Sequence, residues 1–292
     1  MSRLLHRLIL LLVIPASQSF EQTTGLKHYD LDNPDKILVL PDSLHEISGV
    51  TFMDPSTVAA VQDENGILFI HDVRRNRTVA KYPFHADGDY EGITRIDDKI
   101  YVLRSDGKLY EIKNFDTRKE SVKSYTTEVP ADNNEGLCYD EEHDRLLIGC
   151  KNRIDKKSIS KDTRQIYAWD PDKKELKKEP VYAFDEDDVK DFAKKNDLII
   201  PGLTLLSDKY EFKFNISAIA IHPISGKLYL LDAADHLLFV LDDKSHLDHV
   251  VQLDPQLFNK PEGITFTSTG NMYITNEGQT GKARLLIFNY RR

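Results

Sequence analysis

Cysteine is scarce in this sequence: Cys138 and Cys150 are the only two among 292 residues. They fall on neighbouring strands of one predicted hairpin and are out of register by about three residues, roughly 10 Å along the strand. That separation exceeds the span of a disulfide, so we expect two buried free thiols. The sequence also lacks a Cys-x-x-Cys pair, a Gly-x-Ser-x-Gly nucleophile elbow and a phosphate-binding glycine loop.

Linkers, low-complexity tracts and apolar runs long enough to span a bilayer comfortably are absent as well. The N-terminal apolar run, residues 8–14, follows Arg3 and Arg7 and precedes the small residues of Ser17-Gln18-Ser19. This pattern predicts a signal peptide over residues 1–19, with an N-terminal membrane anchor as the alternative. We therefore expect a periplasmic or secreted protein, or one anchored through this segment, whose residues 20–292 form a single domain.

Basic residues are too few to balance the acidic ones. The chain has 39 Lys and Arg against 48 Asp and Glu, a formal charge of −9, and loss of Arg3 and Arg7 with the leader would take it to −11. An acidic balance argues against nucleic acid and anionic membranes as partners and favours cations or cationic ligands. We expect a monomer.

What the sequence does contain is a short segment that recurs five times. The period near 45 residues is typical of a β-propeller, in which each repeat forms one four-stranded blade. Four of the five segments begin with a glutamate. The five segments, whose starts lie 45, 44, 82 and 45 residues apart, are Glu46-Ile47-Ser48-Gly49-Val50, Glu91-Gly92-Ile93-Thr94, Glu135-Gly136-Leu137, Ser217-Ala218-Ile219-Ala220 and Glu262-Gly263-Ile264-Thr265.

The repeats predict an all-β propeller of five blades. The last repeat reaches Arg292 after only three strands, and residues 36–40 are placed to supply the fourth and close the ring. The long interval before Ser217 has the length of a sixth blade. However, residues 185–196 in it read as a helix with Asp185 as N-cap, so we favour five blades with one helical insertion over residues 184–214.

Polar residues from every repeat should meet at one mouth of the central channel. In a propeller, the innermost strand of each blade begins on the face where the turn from the second to the third strand is exposed. We predict metal ligands at Glu91, Glu135 and Glu262, then Glu46. Further ligand-binding candidates on the same face are Asp63, Glu64, Asp106, Asn152, Ser217, Asp232, Asn276 and Glu277.

Crowded carboxylates repel one another and raise one another's pKa unless a cation neutralises them. Oxygen ligands without a cluster of His and Cys suit calcium better than zinc, so calcium is the expected cofactor. Two alternatives remain: a purely structural ring of hydrogen bonds and water, and direct use of the glutamates in acid–base chemistry. The glycine after each glutamate would let the backbones or a ligand approach the axis closely. The insertion over residues 184–214 could form a lid over this mouth, or it could be a surface helix.

The ordered set of motifs resembles the SdiA-regulated family, the bacterial YjiK/CarP-type propellers. The resemblance covers nearly all of the mature chain and implies an exported or envelope-associated propeller with calcium sites. Ser217, in place of a glutamate, and the helical insertion depart from the pattern. The motifs that carry the resemblance are Leu44 to Val50, Val61 to Gly66, Gly88 to Ile93, Asn134 to Leu137 and Lys260 to Ile264.

Two classes of function are consistent with these observations. The first is an envelope propeller that binds calcium at its mouth and presents that mouth to a small molecule or a protein. The second is a calcium-dependent hydrolase acting on a phosphomonoester such as phytate or on a lactone. No catalytic residue can be assigned from the sequence.

Overall fold

The computed structural model describes residues 26–117, 121–151, 163–198, 200 and 215–292. Five antiparallel sheets surround a central channel. In four of them the strands follow in sequence order from the channel outward, and in the fifth the first strand of the chain is the outermost. The predicted five-bladed β-propeller is therefore confirmed, and the described residues form no sixth sheet. The predicted leader over residues 1–19 and the candidate Asn152 lie outside the described residues.

The strands follow the predicted repeats, and β1 (Lys36–Val39) precedes the first complete blade. Blade 1 contains β2 (Ile47–Asp54), β3 (Thr57–Gln62), β4 (Ile67–Asp72) and β5 (Arg77–Pro83). Blade 2 contains β6 (Tyr90–Ile96), β7 (Lys99–Arg104), β8 (Lys108–Lys113) and β9 (Ser121–Thr126). Blade 3 contains β10 (Asn134–Asp140), β11 (Arg145–Cys150), β12 (Arg164–Asp170), β13 (Glu175–Leu176) and β14 (Tyr182–Phe184).

The remaining elements complete the ring. Short 3₁₀ turns occupy Asp42–Leu44 and Glu141–His143. The helix α1 (Glu186–Lys195) follows β14. Blade 4 contains β15 (Ala218–Ile221), β16 (Leu228–Asp232), β17 (Leu237–Leu241) and β18 (Leu247–Gln252). Blade 5 contains β19 (Pro261–Phe266), β20 (Met272–Asn276), β21 (Arg284–Phe288) and the early strand β1.

The ring is closed by pairing the two ends of the chain, as the sequence predicts. β1 runs antiparallel to β21, with Leu38 opposite Leu285. Side chains alternate across a strand, so Leu38 is buried at 5% exposure, whereas Val39 remains 53% exposed. Leu38 packs with Val50, Val58 and other residues in the core between blades 5 and 1, which makes the seam part of the hydrophobic core.

The predicted helix is confirmed, with Asp185 as its N-cap. The Asp185 carboxylate accepts a hydrogen bond from the Asp188 amide, and the Asp188 carboxylate accepts one from the Asp185 amide, which forms a capping box. Val189 and Ala193 are buried in the core between blades 3 and 4, and α1 packs against β18 at the outer rim. No residue of α1 lines the channel mouth, so the helix itself is not a lid. Within the described ranges, no helix is long and apolar enough to cross a membrane.

The two cysteines are free and buried, as predicted. Cys138 lies opposite Leu147 on the neighbouring strand, three residues before Cys150, which confirms the expected offset. Burial raises the pKa of Cys150 to about 12, so this thiol is protonated and inert at neutral pH.

The segment before β1 crosses the face opposite the starts of the inner strands. The Tyr29 hydroxyl donates a hydrogen bond to the Gly270 carbonyl and lies 2.8 Å from Nε2 of His222. Both partners belong to loops on that opposite face, where β15 and β19 end. His28 stacks on Tyr290 with ring centroids 4.7 Å apart, so the N-terminal segment is held against the C-terminal residues.

A buried carboxylate fastens blade 2 to blade 3. Glu111 is only 3% exposed, and its carboxylate accepts a 3.0 Å hydrogen bond from the ammonium of Lys174 in the turn after β12. The same ammonium lies 4.7 Å from the ring centre of Tyr125 and 5.3 Å from that of Trp169. Lys113 is a second, longer partner of Glu111 at 3.5 Å. The lysine thus neutralises a buried charge and contributes cation–π contacts.

Truncation of the closing strand should destabilise the propeller. Leu38→Ala removes buried methyl groups from the seam and is expected to lower the free energy of unfolding by about 2–4 kcal/mol. Val39→Ala, one residue away on the exposed face of the same strand, is the matched control and should change it by less than about 0.5 kcal/mol. Urea denaturation followed by circular dichroism measures both. Equal effects of the two variants would show that β1 does not close the ring in this register.

Removal of Lys174, which connects blades 2 and 3, should also destabilise the folded protein. Lys174→Met leaves the Glu111 carboxylate with a 2.8 Å hydrogen bond from the Tyr101 hydroxyl and the longer contact to Lys113. Because the closest cationic partner is lost, we expect a decrease of about 1–3 kcal/mol in the free energy of unfolding at pH 7. Lys173→Met, at the neighbouring exposed position, removes only a surface ion pair with Asp170 and should lower the free energy of unfolding by less than about 1 kcal/mol. Acidification that protonates Glu111 should shrink the difference between Lys174→Met and the parent protein, and a difference independent of pH would contradict the ion-pair explanation.

Candidate functional site

The inner strands of four blades carry an irregularity at the same place near their start. The pairing of inner and second strand skips one residue at Ser48, Glu91, Glu135 and Glu262, which is the signature of a β-bulge. Ser48 therefore occupies the position of the three glutamates. The sequence repeat aligns Glu46 with these three glutamates, and that alignment is wrong. Glu46 lies one residue before the start of β2 and two residues before Ser48, their structural equivalent.

The glycine after the bulge is required by the close approach of neighbouring blades. A Cβ atom on Gly92 would lie 2.6 Å from Cβ of Leu137, and one on Gly136 would lie 2.9 Å from the side chain of Ile219. Both distances are shorter than non-bonded carbon atoms allow. The prediction that these glycines allow neighbouring strands to approach the axis closely is therefore confirmed.

The three glutamates and apolar side chains from all five blades line a narrow cavity on the channel axis. Its volume is about 10 Å³, the lower limit for one water molecule. The channel is therefore narrow at the level of the glutamates. The large apolar residues around this cavity are Val50, Ile93, Leu137, Ile219 and Ile264.

Serines replace the glutamate in blades 1 and 4, and both connect neighbouring blades. The Ser48 hydroxyl donates a 2.5 Å hydrogen bond to the carbonyl of Tyr90, just before Glu91. The Ser217 hydroxyl donates one of 2.8 Å to the carbonyl of Pro261, just before Glu262. These bonds position the following glutamate and leave the serine hydroxyls little freedom to bind a ligand.

The three glutamates form a largely buried acidic cluster. Glu135 is 2% and Glu262 7% exposed, and Glu91 is partly exposed. Burial, and then the charges of Glu135 and Asp89, raise the pKa of Glu91 to about 9. Burial, followed by the charge of Glu262, raises the pKa of Glu135 to about 8 against the opposing effect of Lys151. Burial likewise raises the pKa of Glu262. We call Glu91, Glu135 and Glu262 the glutamate triad.

Two lysines partly neutralise the triad. The Lys151 ammonium pairs with Oε1 of Glu135, while Oε2 of Glu135 is buried and has no hydrogen-bond partner among the described residues. The Lys260 ammonium lies 3.3 Å from Oε1 of Glu262 and also pairs with Glu277. The role of Lys260 was not predicted. Its place in the sequence, two residues before Glu262 and next to the start of β19, is the signal that could have drawn attention to it.

A second acidic group lies on the rim between blades 5 and 1. Glu46 accepts a 2.8 Å hydrogen bond from Nδ1 of His45, and that contact lowers the pKa of Glu46. Burial and the nearby charges of Glu46 and Glu277 raise the pKa of Asp63 to about 6. Lys260 connects this rim group to the triad, since it contacts both Glu277 and Glu262. Glu46, Asp63 and Glu277 are therefore close to the triad but separate from it.

The other predicted ligand-binding residues have different roles. Asp106 is held by the Arg104 guanidinium through hydrogen bonds of 2.9 and 2.6 Å, and Glu64 is exposed. Asp232 accepts hydrogen bonds from three backbone amides of its own and the preceding loop, and burial raises its pKa to about 7. Asn276 is fully buried, and neither atom of its amide has a partner within the described ranges.

A cavity of about 360 Å³ opens beside the triad, above blade 4. It is bounded by two members of the triad, both lysines and small or polar residues. We call it the blade-4 cavity. Its lining residues are Glu135, Lys151, Asn215, Ser217, Ala233, Ala234, His236, Asn259, Lys260, Glu262 and Gln279.

The opposite face has a larger cavity of about 720 Å³, but its buried carboxylate, Asp140, is paired, as is the guanidinium of Arg95. Asp140 pairs with Arg145 at 2.7 Å and with His143 at 3.0 Å. The Arg95 guanidinium donates to the carbonyls of Met53 and Asp97. None of its described lining residues has a buried polar atom without a partner, whereas Glu135 does at the triad. The triad mouth is therefore the candidate site.

The triad can be tested as a calcium site from its donors. It offers up to six carboxylate oxygens, one of them buried without a partner, and calcium prefers such hard ligands. As the side chains are arranged, no group of three or more described His, Cys, Asp or Glu residues surrounds a metal position. The donors therefore fit calcium in chemistry and charge, and binding requires the glutamates to turn inward from Lys151 and Lys260.

Comparison with solved structures supports the fold. The glutaminyl cyclase of Myxococcus xanthus superposes with a TM-score of 0.57 at 13% sequence identity, over 89% of this chain and 96% of that one. A streptogramin B lyase gives a TM-score of 0.47 at 12% identity, over 87% and 97% of the two chains. At this identity the first likeness shows a common propeller fold and no more. Among curated proteins, none matches the chain.

Sequence comparison identifies the family. Residues 26–280 match the family described as SdiA-regulated, as the motifs around the triad glutamates suggest. The match begins just before β1 and includes all five inner strands. Because it spans most of the 292 residues, this chain belongs to the SdiA-regulated family.

Proposed function

We propose that the protein is an exported β-propeller that binds calcium at the glutamate triad and uses the mouth to bind a ligand or a partner protein. The observation that carries the proposal is the buried oxygen of Glu135, which has no hydrogen-bond partner in the described structure and lies in a cluster of like charges. An unsatisfied buried acceptor among mutually repelling carboxylates is costly, and a cation relieves both penalties.

The triad residues have separate parts in this proposal. Glu91 holds its proton at neutral pH, because its pKa of about 9 is raised by burial and by neighbouring carboxylates, and it releases that proton on binding a cation. Glu135 and Glu262 exchange their lysine partners for the cation. A bound calcium ion would supply the positive charge that orders these side chains from three blades.

Export is proposed from the sequence of the leader and from the charge of the chain. Arg3 and Arg7 precede a short apolar run, as in signal peptides. Calcium sites of modest affinity are typical of extracellular proteins, since calcium is abundant outside the cytoplasm. The acidic surface is consistent with a cation-binding role but does not select one.

A calcium-dependent hydrolase is the second candidate. The observation in its favour is the raised pKa of Glu91 and Glu135, about 9 and about 8, because a carboxyl that keeps its proton near neutral pH can act as a general acid. Turnover of a phosphomonoester or a lactone by the calcium-loaded protein, lost in Glu91→Gln, would support it. If the protein is a binding module, the parent protein binds calcium but turns over neither class of substrate.

Calcium binding should depend on the triad. Isothermal titration calorimetry of chelator-treated protein is expected to show saturable binding, and Glu135→Gln should weaken it at least about tenfold, or about 1.4 kcal/mol. The matched control is Glu141→Gln, the same substitution at an exposed position on the opposite face. No saturable heat with the parent protein, together with an unchanged melting temperature on adding calcium, would overturn the proposal.

The metal-free protein should lose stability as the pH rises. The folded chain keeps a proton on Glu91 between pH 4.5, the ordinary carboxyl pKa, and about 9, whereas the unfolded chain releases it. The free energy of unfolding should therefore fall across this window, by up to about 1.4 kcal/mol per pH unit for one proton. Glu91→Gln should reduce this slope to the part that Glu135, with its pKa of about 8, contributes, and it should weaken calcium binding. A variant with the parent slope would show that Glu91 is ionised in the folded protein.

A further inference from the structure

We propose that the blade-4 cavity binds a small, polar carboxylate, and that it does so together with calcium through Lys151 and Lys260. This inference rests on the proposed calcium site and names the ligand class that the mouth would take. It starts from the asymmetry of the mouth, because a cavity of about 360 Å³ is present above blade 4 and two ammonium groups border it.

Small residues in blade 4 create the cavity. At the bulge position this blade has Ser217 in place of a glutamate, and the hydroxyl is turned toward the Pro261 carbonyl. The first residue after its second strand is Ala233, where blades 1, 3 and 5 have Asp63, Lys151 and Glu277. Both replacements remove long side chains from one side of the mouth. A volume of 360 Å³ lies at the lower end of the range for small-molecule sites.

The charge of the cavity depends on the triad. The Lys151 ammonium is paired with Glu135, and the Lys260 ammonium lies 3.3 Å from Glu262 and also contacts Glu277. Both lysines and both triad glutamates line the cavity. When a divalent cation takes the charge of the two carboxylates, Lys151 loses Glu135 and Lys260 keeps only Glu277 as an ionic partner. The cation also repels both ammonium groups. The cavity then presents positive charge, and an anion can replace the lost partners.

The remaining lining defines the class of anion. Asn215, Gln279 and His236 add hydrogen-bonding groups, and none of the described lining residues is Phe, Tyr or Trp. These residues therefore offer a flat apolar ligand no stacking surface. Two ammonium groups beside polar side chains suit a carboxylate that carries hydroxyl substituents. Coupling between two binding sites is reciprocal. If calcium strengthens the binding of such an anion by some factor, the anion must strengthen the binding of calcium by the same factor.

The test measures calcium affinity calorimetrically in chloride and then in acetate or lactate at the same ionic strength. With the parent protein we expect both carboxylates to lower the calcium Kd at least threefold, and lactate more than acetate. Ala233→Leu, which fills the cavity, should bind calcium in chloride as the parent does and lose the carboxylate effect. Ala86→Leu, the same substitution in an exposed loop, is the control and should keep it.

Lys260→Met is a second variant, and it should change calcium affinity in chloride, which Ala233→Leu should not. Removing this competitor for Glu262 should tighten calcium binding in chloride and abolish the response to carboxylates, a pair of changes that loss of folding cannot produce. Absence of calcium binding in every buffer would overturn both this inference and the proposed function. Calcium binding that is indifferent to carboxylates, or a carboxylate effect retained in Ala233→Leu, would overturn this inference alone.

Discussion

The structure depends on the close approach of five inner strands around one axis. At Gly92 and Gly136 the neighbouring blade lies so near that even a methyl group would overlap it. The residue before each of these glycines sits on a β-bulge, and its side chain is therefore directed into a space shared by all blades. Backbone geometry thus brings three carboxylates together in spite of their repulsion, and their raised pKa values are the electrostatic consequence.

Repetition made the fold predictable. The 45-residue period, the strand patterns and the capped helix each rest on local signals, and all three are confirmed. Closure by β1 could also be predicted, because a missing fourth strand and an unassigned apolar segment complement each other. The convergence of Glu91, Glu135 and Glu262 followed from the common position of the three residues in their blades.

The parts that escaped prediction depend on tertiary register and on side-chain conformation. In the sequence repeat, Glu46 aligns with the other glutamates. The position of the β-bulge shows instead that Ser48 is their structural equivalent, and a bulge can be recognised only from the pairing of strands. The pairing of Lys151 with Glu135 and of Lys260 with Glu262 depends on how long side chains lie in the mouth. The helix could be predicted, but its packing against β18 instead of over the mouth could not, because amphipathicity does not say which neighbour is covered.

The contacts of the N-terminal segment place it on the face opposite the triad. Tyr29 is hydrogen-bonded to Gly270 and His222 on that face, and His28 stacks on Tyr290, close to the C-terminus. The first described residues and the C-terminal residues therefore lie together on the back of the propeller, where Arg291 donates a backbone hydrogen bond to His28. Neither of them obstructs access to the triad.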